Sequence, residues 1–335
     1  MNSFAPLSRR SLLAGAAGGL AVLANAQPLP TSQRGVRLVV PFAPGGVLDA
    51  LARVLADRVQ EQLGPVYVDN IAGLRGSQGS AFVAKSAPDG MTLLMGSVIT
   101  QSINPSIGAG HLYEPTRDFT PITLLARLSN VLVVNMETAR RLGLNNVHDL
   151  VMYARQHPGR LTFASVGMGT TSHLAAEAFK ERTGVQVNHQ PYTGVNGAVK
   201  ALLSGEVDFS FQNLSSTFAD IRAGRLKALA VSTLWRSGDL PEVPTLNEIT
   251  AVPSLAGFDV GIWFGLFAPA RLSRELTLKF NAAFADALGM AEVRDKLKAL
   301  KAEPSPSTPE QLAALVKTDL LRYRPLARRS RGVLE

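Results

Sequence analysis

Short, nearly continuous apolar runs alternate along this chain with stretches of helical periodicity, and that alternation restricts its fold more than any other feature. VRLVVPF, from Val36, reads as a strand buried on both faces. Leu48, Leu51, Leu55 and Val59 then recur at helical spacing as far as Gly64, a helix stop. VYVDN, a glycine-rich turn, the short helix AFVAKSAPDG and the strand TLLMGS complete a βαβαβ unit. Such a unit implies a doubly wound α/β lobe whose functional residues collect at the carboxyl ends of its strands. After PITLLARLSNVLVVN the pattern restarts, with a helix near 146–156, LTFAS, a helix over 173–183, VNHQPY, GAVKALLSG, VDFSFQN and LKALAVS. Two α/β lobes are therefore expected. The first spans 27–125, the second 126–233, and 234–335 returns to complete the first.

The first 26 residues read as an export leader. Arg9 and Arg10 supply its charge, Leu12 to Leu23 its apolar run, and Ala24-Asn25-Ala26 a small-residue cleavage site. The apolar run falls short of the roughly 20 residues a membrane span needs, and the paired arginines favour the twin-arginine route. Removing the leader takes the net charge from +8 to +6. Much of that excess is the tail cluster Arg322, Arg324, Arg328, Arg329 and Arg331, which reads as a solvated helix face. Apart from Tyr323 it carries no interleaved aromatics of the kind single-strand binders use for base stacking, so nucleic acid is not an expected partner. The chain contains no cysteine, which excludes disulfides, thiolate metal sites and cysteine nucleophiles.

Three turns could build a site. Phe42-Ala43-Pro44-Gly45-Gly46 lies between the first strand and the first helix, where Ala43, Gly45 and Gly46 let a ligand approach the backbone and unpaired helical N–H groups favour an anion. Asp49, one turn later, competes for those same N–H groups and must turn away or act through water. In the other lobe, Ser165 to His173 places Gly169, Thr170 and Thr171 at a second helix start. The third group gathers strand-end positions: the turn Asn70 to Ser77, then Ser97, Thr100, Tyr192 and Asn213. Each position also has an ordinary reading as a cap or a turn. Helix dipoles contribute about 0.3–2 kcal/mol each toward an anion, whereas micromolar binding needs about 8 kcal/mol. Hydrogen bonds, water and burial on closure must supply the difference.

In linear order, VRLVVPFAPGG, KSAPDGMTLLMGS, DFTPITLLA, PGRLTFASVGMGTTSHLAAE, PYTGVNGAVKALLSGEVDFSFQNL, LPEVPTLNE and WFGLFAPA resemble the Bug-type substrate-binding proteins of tripartite tricarboxylate transporters. The resemblance implies a type II periplasmic-binding-protein fold, two α/β lobes around a ligand cleft. It also implies a monomeric periplasmic receptor, without cofactor or metal, that hands a small organic acid to membrane transporter subunits. Position by position it assigns ligand contact to Ala43, Gly45, Gly46, Asp49, Ser97, Thr100, Gly169, Thr170, Thr171, Tyr192 and Asn213. Three departures bear on the ligand. Val47 replaces a frequent hydroxyl residue, Ser172 a frequent proline, and Asn70-Ile71-Ala72-Gly73-Leu74-Arg75-Gly76-Ser77 stands for the common Asn-Arg-Pro-Gly-Ala-Gly-Gly-Asn. An apolar wall at Val47 and Leu74 suits a partly apolar acid better than citrate.

An enzyme is the rival class, yet no HExxH or GxSxG motif occurs, and His111, His148, His157, His173 and His189 lack metal-ligand spacing. His173 beside Ser172 reads as a surface or capping residue. A receptor for a membrane sensor would need the same cleft and closure. Exchanging Arg9 and Arg10 together for lysine is expected to strand the precursor in the cytoplasm, which cell fractionation reads directly.

Overall fold

The computed structural model describes residues 35–108 and 112–334. The expected leader with its cleavage site at Ala26, His111, and the side chains of Arg328, Arg329 and Arg331 lie outside the described residues.

Two sheets organise the chain. The first contains β1 (Val36–Val40), β2 (Val66–Asn70), β3 (Thr92–Ser97), β4 (Phe119–Leu128), β10 (Ile262–Pro269) and β11 (Glu303–Pro304) in the order β11-β4-β10-β3-β1-β2. The second contains β5 (Asn130–Asn135), β6 (Thr162–Ser165), β7 (Asn188–Pro191), β8 (Phe209–Asn213) and β9 (Leu226–Val231) in the order β7-β6-β8-β5-β9. β1 pairs in parallel with both β2 and β3, as β6 does with β7 and β8, so each lobe carries the expected βαβ crossovers. This is the two-lobed α/β fold that the sequence implies.

Both sheets are nevertheless mixed. β10 runs antiparallel between β3 and β4, and β5 runs antiparallel between β8 and β9. In each case the reversed strand is the one the chain forms on arriving from the other lobe. Its residues, Asn130–Asn135 and Ile262–Pro269, are almost wholly buried, and their apolar character is the same whichever direction the neighbours run.

The crossings lie side by side and are tied by buried polar groups. Ser129 Oγ and Thr233 Oγ1 are 2.9 Å apart, Ser232 Oγ donates to the Val260 carbonyl at 2.7 Å, and Asn130 Nδ2 donates to the same carbonyl at 3.4 Å. One apolar core lies under the helices Val47–Leu63 and Arg274–Gly289 on the first sheet, and another lies on one face of the second sheet. A third runs from Leu94 and Phe267 through Phe163 and Phe211 to Tyr323 of the last helix, Pro309–Leu334, and so joins the two lobes.

That helix is fixed by a polar contact inside the core. Trp263 Nε1 donates to Asp319 Oδ2 at 2.7 Å, and Asp319 is only 2 % exposed. Burial pushes the Asp319 carboxyl above its usual range, against the opposing Trp263 hydrogen bond and the Arg322 charge. Removing the acceptor leaves a buried indole N–H unpaired, which costs about 1–3 kcal/mol. Asp319→Ala is thus expected to lower the free energy of unfolding by that amount, read as a shift of the urea midpoint, while Asp319→Asn, which keeps an acceptor, loses less.

Candidate functional site

The first turn presents Ala43, Gly45 and Gly46 at the surface, just ahead of the helix Val47–Leu63. Gly45 adopts φ +91°, which glycine tolerates and other residues rarely do. Gly46 is different. It caps the helix with φ −80° and ψ 169°, any residue could hold that conformation, and an added Cβ would meet nothing within 4 Å. Neither packing nor backbone geometry requires glycine at 46. No side chain caps this helix start, and Ala50 N–H is the first to find its intrahelical acceptor, at Gly46. The N–H groups ahead of it are free to meet an anion.

Asp49 turns back onto its own turn. Its carboxylate accepts from Gly45 N–H at 2.9 Å, Arg53 Nε at 3.1 Å, Arg53 Nη2 at 3.0 Å and Asn70 Nδ2 at 2.9 Å. Burial raises its pKa, but the hydrogen bonds from Arg53, Gly45 and Asn70 together with the Arg53 charge outweigh that and hold it below the ordinary value. Asn70 Nδ2 also donates to the Phe42 carbonyl at 3.1 Å, so this one side chain links the ends of two turns.

Beneath the turn, Ser97 and Thr100 close on each other. Ser97 N–H donates to Thr100 Oγ1 at 3.0 Å, and Thr100 N–H donates to Ser97 Oγ at 3.4 Å. Both residues are buried. The turn 73–76 packs above them closely enough that a Cβ on Gly76 would come within 2.7 Å of Thr100 Cγ2. Four successive residues of that turn have positive φ: Gly73, Leu74, Arg75 and Gly76. For Leu74 and Arg75 this costs on the order of 1–3 kcal/mol each, a strain that recurs where ligands are held.

The second turn is built in the same way, with a histidine in the place of the aspartate. Thr170 caps the helix Thr171–Thr183, its Oγ1 accepting from His173 N–H at 3.4 Å and donating to the Gly167 carbonyl at 2.7 Å. Gly169 N–H donates to His173 Nδ1 at 3.2 Å. Thr171 and Ser172 N–H are left without a partner inside the turn, and both residues are buried at the helix start. His173 stacks on His189 with centroids 4.5 Å apart, and His189 Nε2 lies 2.7 Å from Ser165 Oγ. His173, at 2 % exposure, is a buried support of the turn, whereas the sequence suggested a surface or capping residue. Its half-buried partner His189 gave no signal beyond one polar residue in a short strand.

Tyr192 extends from β7 beside this turn, its backbone oxygen 3.7 Å from where a Gly167 Cβ would stand. Its hydroxyl donates to Glu206 Oε1 at 2.6 Å, and burial with that contact pushes the phenol up to about 12. Asn213 ends β8 and caps the next helix, Oδ1 accepting from Ser215 N–H at 3.4 Å. Ala43, Gly45, Gly46, Asp49, Ser97 and Thr100 thus gather at one lobe, and Gly169, Thr170, Thr171 and Tyr192 at the other. Asn213 sits apart, where β8 meets the start of β5. The lobes touch through Arg75, whose Nη1 donates to the Met168 carbonyl at 3.1 Å. A groove of about 290 Å³ between Phe258, Arg182 and Arg322 lies elsewhere, against the last helix.

The two histidines carry a pH dependence. Burial pushes His173 down to about 4, and burial with the neighbouring His173 pushes His189 down to about 4. The unfolded chain takes up protons near 6.5 that the folded chain refuses, so their contribution is present above that pH and is lost as pH falls toward about 4. The melting temperature is expected to drop between pH 6.5 and 4, with a shallower slope in His189→Asn.

Residues 51–331 match the family model described as tripartite tricarboxylate transporter family receptor. The chain is similar to the UPF0065 protein in the tcbD-tcbE intergenic region of Pseudomonas sp. strain P51, at 38% identity over 96% of this chain and 94% of that one. It is also similar to protein BugT of Bordetella pertussis, at 33% identity over 96% of each. Among solved structures it resembles R. palustris Rpa4515 with adipate, at 34% identity and a TM-score of 0.73 over 90% of this chain and 98% of that one.

Proposed function

The chain belongs to the tripartite tricarboxylate transporter receptor family, and we propose that it captures a linear dicarboxylate between its lobes and delivers it to the membrane subunits. Members of this family are periplasmic solute-binding receptors rather than enzymes. The Ser165–His189 contact fits that role, because Ser165 is fully buried and reaches no substrate.

Gly46 carries the proposal. A glycine that neither fold geometry nor packing requires, at a helix start with no side-chain cap, is explained by a ligand carboxylate lying against its backbone. Gly46, Val47 and Leu48 N–H groups receive one end of that carboxylate, while Thr171 and Ser172 N–H approach from the other lobe with bridging water. Asp49 and His173 act through Gly45 and Gly169, fixing the turns. Ala43, Thr170 and Tyr192 line the space, Ser97 and Thr100 support its floor, and Asn213 borders it near the crossing. The likeness to Rpa4515 with adipate, a diacid with an apolar spacer, agrees with the apolar Val47 and Leu74. Export through the twin-arginine route, cleavage after Ala26 and a monomeric receptor complete the proposal. The division into 27–125, 126–233 and 234–335 belongs to it as well.

A thermal-shift series of the mature chain tests the ligand class. Four- to eight-carbon dicarboxylates are expected to raise the melting temperature by mass action, by about 2.7 kcal/mol of stability at a hundred times Kd. Gly46→Ala should melt like the parent without ligand and lose most of that rise. Stabilisation by a neutral compound and by no acid would refute the carboxylate assignment.

A further inference from the structure

Arg75 stands out among the cationic residues of the site region. Its φ of +55° is sparsely populated by non-glycine residues, and it occupies a position where the family's common turn sequence has glycine. Asn104 Nδ2 holds its carbonyl at 2.9 Å, which fixes the backbone that aims the side chain. The guanidinium reaches the opposite lobe, donates to the Met168 carbonyl at 3.1 Å, and sits where a Cβ on Gly169 would be only 2.5 Å from Nη1. Gly169 therefore leaves room for it. Among the described residues Arg75 makes no ion pair, in contrast to Arg37, Arg53, Arg58, Arg117 and Arg322. Loss of water around the guanidinium pushes its pKa down, the mark of a charge held without a matching anion.

We propose that Arg75 determines specificity by recognising the ligand's second carboxylate: it holds the Met168 carbonyl in the arrangement seen here and exchanges it for that carboxylate when a diacid occupies the cleft. This inference rests on the receptor reading above and adds to it the reason a diacid is preferred over a monoacid. One carboxylate sits on the helix starts, which need no arginine. The other end of the ligand then meets a guanidinium whose fork geometry pairs with a carboxylate through two parallel hydrogen bonds. A carbonyl offers it only one partner, so exchange is favourable.

Titration calorimetry with adipate and hexanoate, acids of equal chain length with two and one carboxylates, decides the matter. Arg75→Gly is expected to fold and to melt no lower than the parent, because glycine adopts φ +55° freely; Arg75→Gln keeps side-chain length without charge and serves as the second variant. Both should weaken adipate by about 10- to 100-fold, the usual loss for a charge-assisted hydrogen bond, and change hexanoate by less than about threefold. Unchanged adipate affinity, or equal losses for both acids, would overturn the role of Arg75 while leaving the receptor reading intact. A parent protein that binds neither acid would remove the diacid reading itself, and this inference with it.

Discussion

Everything in this molecule depends on the chain crossing twice between its sheets and inserting a reversed strand each time. Because β10 lies inside the first sheet, that sheet is complete only after the chain has returned from the second, whose strands β5 to β9 form one continuous stretch from Asn130 to Val231. The crossings meet in a small buried set of hydroxyl, amide and carbonyl groups around Ser129, Asn130, Ser232, Thr233 and Val260. Such groups must be paired where water is excluded, so they fix the crossings in register.

The two turns share one plan. In each, a glycine N–H is occupied by a side chain four residues on: Gly45 by Asp49, and Gly169 by His173. The chemistry of the two partners differs in charge. Asp49 keeps its negative charge because Arg53 and Asn70 compensate it, whereas His173 stays neutral because burial opposes protonation. In both, one glycine N–H is taken up in bracing the turn, and the helical N–H groups that follow are left for the ligand on the proposed reading. Preorganisation of this kind lowers the entropy lost on binding. It would let two modest helix dipoles take part in the proposed capture.

Strain is concentrated in the segment that bridges the lobes. Gly73, Leu74, Arg75 and Gly76 form an unusual run of positive φ angles, and the tight packing of Gly76 on Thr100 and Phe42 holds it in place. The two non-glycine residues carry the cost and provide what glycine lacks, an apolar side chain and a cation. The departure from the family's turn sequence is therefore a change in the chemistry displayed at the cleft, on a backbone path that still calls for glycine-like angles.

How much was legible follows from which interactions are local. Apolar runs such as VRLVV and the Leu48, Leu51, Leu55, Val59 stripe determined their own strand and helix, since periodicity and burial are properties of neighbouring residues. The glycine turns could be placed at helix starts for the same reason. Strand direction could not, because NVLVVN and IWFGLFAP are apolar whether their neighbours run with them or against them. The inward turn of Asp49 required Asn70, which lies 21 residues away, and the burial of His173 required His189 from another strand. The sequence by itself determined the two α/β lobes, their glycine-bearing helix starts and the family to which they belong. Only the tertiary structure decided which N–H groups remain open and that Arg75 reaches the far lobe, because those depend on contacts between residues that meet only when two separately wound sheets close on one another.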